Sequence, residues 1–328
     1  MEMKLFRRIA EGLRLPSKFP LAGMEISQRW LGWVRLARRK GGYLLADYAL
    51  EELSPEGVRA SLLSSNVVIP PEVEQKVASI LNRSRAKIKK LSILLPDNVV
   101  KVVILDNLQR LPHREGETLK LIQWKLKKTL PFRIEEATIG FQPMVSRDGS
   151  PKLLVAIVKR GVREHFEKLF APLGVVPGLV IPSSFGLVNF CHWSMPRGIG
   201  DTSEKMLINF AERYISIMIF RGEGLIFFRT KDLGAGLPVS SGFQIPLREL
   251  YSSYIYYKER LGGDGLKMVY LGGISPRLTE LRSQIGENFD FQVENINPWG
   301  TIKLDEGVSM DKVGIQRLTS TMGLIVGS

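Results

Sequence analysis

Residues 205–230, KMLINFAERYISIMIFRGEGLIFFRT, hold three strand-like runs in succession, 205–210, 214–221 and 225–230. Arg221-Gly-Glu-Gly224 between the last two reads as a hairpin turn, because glycine supplies the positive φ that tight turns demand. The same order stands earlier in residues 21–53, LAGMEISQRWLGWVRLARRKGGYLLADYALEEL, with strands predicted at 21–26, 29–37 and 43–53 and a turn at Arg39-Lys-Gly-Gly42. Each triplet leads into alternating helices and strands. The second is followed by a Gly-rich loop at 234–242, helix 246–260, strand 267–271, a Gly-Gly turn, helix 275–285, strand 289–293 and a last helix at 308–322.

The first triplet has a longer sequel. A Ser/Pro-rich connection, 54–71, precedes a helix at 72–83, strand 90–95, a Pro-Asp-Asn turn at 96–98 and the β-branched strand 99–105. A helix at 115–128 stops before Leu130-Pro131, since proline disfavours helical geometry in the residue before it. Strands 137–145 and 152–158 follow, the second an apolar run of the kind buried on both faces. Helix 162–173, strand 175–181 and helix 183–192 complete this half, and 197–203 reads as a linker. Two duplicated α/β lobes with mixed sheets are expected: 20–200, carrying an inserted α+β subdomain at about 86–150, and 201–328, with 1–19 a basic N-terminal segment. Such ribonuclease-H-like lobes with a cleft between them make the two-lobe architecture of actin, Hsp70 and sugar kinases.

Composition agrees with an ordinary globular chain: 328 residues, 44% apolar and 9% aromatic, with room for two lobes. The longest apolar runs fall short of the roughly 18 residues of a spanning helix, and residues 1–18 lack the apolar centre of a secretory signal. A cytosolic protein is expected, and one cysteine, Cys191, suits a reducing compartment. The +13 net charge is uneven: residues 1–200 hold 32 Lys/Arg against 18 Asp/Glu, and residues 201–328 hold 14 against 15. Basic clusters at 4–14, 83–90 and 125–133 are open to three readings: a solvated face, contact with an anionic membrane surface and, with least support, nucleic acid.

Four stretches resemble the PilM-type pilus-assembly proteins of the actin-like superfamily. Residues 23–36, GMEISQRWLGWVRL, are similar to the family's opening strand, turn and strand. Residues 124–142, WKLKKTLPFRIEEATIGFQ, resemble its helix ending in "I-P-F-P-x-E-E" and the strand after it. Leu271-Gly-Gly-Ile-Ser-Pro-Arg-Leu278 is similar to its adenosine-side turn, and Thr321-Met-Gly-Leu324 to its closing "A-x-G-L". The resemblance runs in the family's order from about residue 20 onward. It implies a cytoplasmic protein, peripheral on the cytosolic face of the inner membrane. There it would bind the short cytosolic tail of a PilN-like membrane protein, beside the inserted subdomain, and could link it to a cytosolic pilus motor. Leu130, Pro131 and Phe132 are expected to shape that groove; the alternative reading makes Phe132 core of the insertion. The type II secretion subunit GspL is a cousin that continues into a membrane span and a periplasmic domain, so a stand-alone PilM-like protein is the better expectation.

In actin-like ATPases two hairpins present Asp-x-Gly turns to the phosphates: glycine lets N–H groups approach, and aspartate organises Mg2+. Here the first hairpin has Glu25-Ile26-Ser27, with Gly32 at the family's lysine position, and the second has Asn209-Phe210-Ala211 followed by Tyr214-Ile-Ser216. A third acidic position aligns with Ile181. An efficient ATPase is therefore not expected, and no catalytic residue is named. Gly272 and Gly273 remain, either as an adenosine contact or as a plain strand-to-helix turn, and Glu25 could reach Mg2+ from farther off. The cofactor is thus either none or ATP with Mg2+. The rival functions are a nucleotide-gated ATPase, a GspL-like secretion subunit, and a lipid or nucleic-acid binder using the basic half alone.

Other chemistry finds little support. There is no Walker-type run, no Gly-x-Ser-x-Gly elbow and no Cys-x-x-Cys pair, and three scattered histidines do not suggest a metal site. Cys191-His192-Trp193 reads first as packing at a helix end, Gly262-Gly-Asp-Gly265 as a turn, and Tyr251, Tyr254, Ile255 and Lys258 as one packed helix stripe.

Overall fold

Both strand triplets become antiparallel meanders, and both are extended by parallel strands on the same side. The computed structural model describes residues 20–326 apart from 41, 55–56, 60, 63–70, 107, 113, 147–148, 195–202, 235–241 and 310. The segment 1–19, most of the 197–203 linker and most of the 234–242 loop lie outside these residues.

In the first lobe β1 (Ala22–Ile26), β2 (Trp30–Arg39) and β3 (Gly42–Glu52) form the meander. After helix α1 (Pro71–Arg83), strand β4 (Lys90–Leu95) pairs parallel with β1. The chain then leaves for the insertion: β5 (Lys101–Leu105), α2 (Glu115–Leu126), β6 (Ala137–Val145) and β7 (Pro151–Lys159), a three-stranded sheet of order β5-β7-β6. It returns through α3 (Arg160–Lys168) to β8 (Val176–Pro182), parallel to β4, and α4 (Ser183–Ser194). In the second lobe β9 (Glu204–Ala211), β10 (Tyr214–Arg221) and β11 (Gly224–Asp232) form the meander. Helix α5 (Gln244–Arg260), β12 (Met268–Gly272), α6 (Leu278–Asn288) and β13 (Gln292–Asn295) follow, with β12 parallel to both β9 and β13. The orders β3-β2-β1-β4-β8 and β11-β10-β9-β12-β13 are the same path drawn twice.

Strand β7 shows why the insertion sits where it does. Leu153, Val155 and Ile157 join Ile122 and Leu126 of α2 in a satellite core, while Leu154 and Val158 belong to the main core. A period of two on a strand buried on both faces welds the inserted unit to the lobe.

The C-terminal segment differs from expectation in two ways. The single helix predicted at 308–322 is broken into α7 (Lys312–Arg317) and α8 (Thr319–Val326). The Asp311 carboxylate caps α7, accepting from Val313 N and Gly314 N at 2.8 and 2.7 Å. Nor does all of 201–328 pack as a second lobe. β14 (Lys303–Leu304) pairs parallel with β3, and α8 packs on β1, β2, β4 and α4. Every residue of α8 is buried, Thr319, Ser320 and Thr321 included, and a helix buried all round needs cover on every side, which the first lobe supplies. Its crossing with α4 is glycine on glycine: a Cβ on Gly323 would lie 1.9 Å from the Gly186 carbonyl oxygen, and one on Gly186 2.4 Å from that of Ser320. The main apolar cluster also takes in Leu207, Met218 and Leu225, so one core runs across both lobes.

Candidate functional site

The six residues singled out in the two hairpins and the Gly-Gly turn all come together at the junction between the lobes. Glu25 ends β1 and is buried; its carboxylate accepts from Ser183 Oγ at 2.5 Å and from Thr321 Oγ1 at 3.1 Å. Ser27 closes its own hairpin, its Oγ accepting from Trp30 N at 3.0 Å. Across the junction Asn209 Nδ2 donates to Asp97 Oδ2 at 2.9 Å, and Ser216 Oγ donates to the same oxygen at 2.6 Å. Asp97 Oδ1 accepts from Ser184 N at 2.9 Å. Ala211 is buried with Tyr214 and Ile274 against Trp30 and Leu50.

The central carboxylate, Asp97, was read from sequence only as part of a turn. It begins the single turn after β4 and is buried, held by one donor from its own lobe and two from the other. A lone aspartate directly behind the apolar strand 90–95 was the available signal. Burial raises its pKa against the pull of those donors, and burial lifts Glu25 to about 7. Asn98 adds an outer tie, its Nδ2 donating to Asp232 Oδ2 at 2.8 Å.

A second tie was also missed. The Trp30 indole N–H donates to the Glu212 carboxylate at 3.1 and 3.2 Å. The Arg317 guanidinium carbon lies 3.7 Å from the Trp30 ring centroid, and Arg317 Nε donates to the Ile274 carbonyl at 2.9 Å. Burial raises the pKa of Glu212 and lowers that of Arg317.

The glycines at this junction are close-packed. Gly273 has φ +124°, and a Cβ there would lie 2.3 Å from the Phe210 carbonyl oxygen and 2.8 Å from Asn209 Oδ1. A Cβ on Gly272 would lie 2.6 Å from Leu187, a side chain of α4. A Cβ on Gly32 would lie 3.0 Å from Leu318 and 3.3 Å from both Ile274 and Thr321 Oγ1.

The proposed groove residues lie on the insertion. Leu130 and Phe132 are half-buried against its satellite core and Pro131 is exposed, so Phe132 is partly core and partly surface. Lys159 Nζ stands 6.0 Å from the Phe132 ring centroid. Among the other candidates, burial pushes the Cys191 thiol up to about 12, far from a reactive thiolate. In the 262–265 turn Gly263 N donates to the Tyr257 carbonyl at 3.1 Å and Gly265 N to Glu204 Oε2 at 3.0 Å, so both are spent internally. In the α5 stripe Tyr254 packs on Phe291, while Tyr251 is exposed and Tyr257 supplies the buried contact.

No family model and no curated protein matches the sequence. Among solved structures, a chain of the PilM–PilN type IV pilus biogenesis complex is similar at TM-score 0.76 and 16% identity, over 94% of this chain and 98% of that one. A Bacteroides thetaiotaomicron protein of actin-like ATPase fold and unknown function gives 0.48 at 10% identity, covering 90% and 94%. The cytoplasmic domain of EpsL, an inner membrane component of the type II secretion system of Vibrio cholerae, gives 0.47 at 10%, covering 92% and 94%. The protein has an actin-like two-lobe fold, with one strand order drawn twice, and shares its fold with the first of these chains.

Proposed function

We propose that the protein is a PilM-like docking subunit of a type IV pilus assembly complex, working at the cytosolic face of the inner membrane. It binds the short cytosolic tail of a PilN-like membrane protein and does not hydrolyse ATP efficiently. The observation that carries this reading is the end-to-end likeness to a chain of the PilM–PilN complex, at TM-score 0.76 over 94% of this chain and 98% of that one. Among the described residues no helix is long and apolar enough to cross a membrane.

The junction geometry supports the second half. Mg-ATP needs free carboxylate oxygens and N–H groups facing the phosphates. Here Glu25 and Asp97 direct their oxygens at protein donors, Gly32 faces Leu318, and both glycines of the 272–273 turn are covered by Leu187, Asn209 and Phe210. These residues do not fit the nucleotide.

The test is to purify the full chain from its native membranes with whatever single-span protein accompanies it, then titrate the chain with a synthetic peptide of that protein's cytosolic tail. Saturable binding, weakened at least roughly tenfold by Phe132→Ala, is the expected outcome, since anchors at an interface centre cost about 1.4 kcal/mol or more when truncated. A tail peptide that does not bind the chain would overturn the reading.

A further inference from the structure

Trp124 is the most exposed tryptophan among the described residues, 66% accessible on the outer face of α2. The inner face of that helix is spent on Thr118, Ile122 and Leu126. Charge along the helix is segregated: Glu115 and Glu117 occupy the first turn, and Lys120, Lys125, Lys127 and Lys128 follow. Lys120 and Trp124 stand four residues apart, which puts them on one face of α2, and Lys127 and Lys128 are exposed in the turn that follows directly. Among the described residues none of the four lysines pairs with a carboxylate, whereas the neighbouring Arg133 and Lys159 are both tied to Glu136, at 3.2 and 3.1 Å. Lysines near a helix C-terminus suit the macrodipole, but the dipole gives no reason to leave an indole in water.

A basic rim around an exposed tryptophan is complementary to one kind of surface. Anionic headgroups attract the lysines, and the amphipathic indole partitions to headgroup level. We propose that the outer face of α2 and the turn after it bind an anionic lipid bilayer, with Trp124 entering the headgroup layer. Lys120, Lys127 and Lys128 flank it in sequence, and Pro131 and Arg133 a few residues on are exposed as well. The inference deepens the docking reading by naming the surface that meets the membrane beside the tail groove. It rests on that reading only for which membrane is met.

Co-sedimentation of the full chain with vesicles tests it, and because the vesicles carry no protein, tail docking can fail or succeed independently. Phosphatidylcholine vesicles containing phosphatidylglycerol should retain the chain, and phosphatidylcholine alone should not. Retention should fall as salt shortens the Debye length below about 8 Å. Lys127→Glu with Lys128→Glu should weaken binding more than roughly tenfold, each basic residue being worth about fivefold. Trp124→Phe should abolish most quenching of tryptophan fluorescence by brominated lipid, with the melting midpoint of both variants unchanged. Failure of the chain to bind anionic vesicles would overturn the proposal, as would equal binding to neutral ones. Wild-type binding by the double lysine variant would also overturn it, assigning retention to another basic segment such as 4–14. So would a Trp124→Ala variant that loses the tail peptide but keeps the vesicles.

Discussion

The interlobe junction and the insertion treat polar and apolar groups in opposite ways. At the junction the Glu25 and Asp97 carboxylates are buried and supplied with donors by Ser183, Thr321, Ser184, Asn209 and Ser216, and glycines let backbones touch. On the insertion an indole stands in solvent, Leu130 and Phe132 are half-covered, and four lysines lack acidic partners among the described residues. Groups satisfied in a low-dielectric interior hold a structure together, and groups left half-covered at a surface are free to recognise something else. The junction is thus built as a joint between the lobes, and the half-covered and unpaired groups stand on the inserted unit.

Substitutions should separate the two regions by what they damage. Gly323→Ala should act most strongly, destabilising the chain by roughly 4 kcal/mol or failing to fold, because its Cβ would meet the Gly186 carbonyl and Phe190. Denaturant unfolding measures this, and a loss under about 1 kcal/mol would show that the α4–α8 crossing gives way easily. Asp97→Ala should cost about 3 kcal/mol, since it strands the Asn209 amide and the Ser184 N–H without an acceptor and leaves the Ser216 hydroxyl only Thr230. A neutral result would mean the lobes are not tied there.

Protonation gives a comparable effect with a definite sign. Glu25 is lifted by burial from 4.5 to about 7 in the folded chain, so the folded state holds the proton more tightly than the unfolded one. The stability this contributes is full below about pH 4.5 and is lost as pH rises through about 7, at about 1.4 kcal/mol per unit and about 3 kcal/mol in all. The raised pKa of Asp97 acts in the same direction, so Glu25→Gln should flatten the pH profile of unfolding without levelling it. An unchanged profile would contradict the burial of Glu25. Phe132→Ala should be the mildest for folding, about 1 kcal/mol for a half-buried ring, while it lowers tail affinity. If it cost stability and spared affinity, Phe132 would belong to the core alone.

How far the sequence could be read follows from how local each feature is. The triplets of strands, the Gly-bearing hairpins and the two-faced strand 152–158 announce themselves within a few residues, and each formed close to its predicted place. Glu25, Ser27, Asn209, Ala211, Gly272 and Gly273 were singled out by the resemblance, which aligns them with the family's phosphate hairpins and adenosine-side turn. Asp97 could not be found, because its partners stand 87 to 119 residues away and only the folded sheet brings them together. Strand β14 has two residues and no periodicity, and α8 is buried on every side, its Thr319, Ser320 and Thr321 included, so neither has a patterned face that could reveal that the chain returns to the first lobe.

The most direct test is thermal melting of the full chain with millimolar Mg-ATP, against Mg-GTP and EDTA. A ligand at about 100 times its Kd adds about 2.7 kcal/mol to the native state, enough to move the midpoint of a chain this long by a few degrees. An unmoved midpoint is the result expected of a closed junction. An ATP-specific rise would contradict it and make the two lobes a working nucleotide cleft.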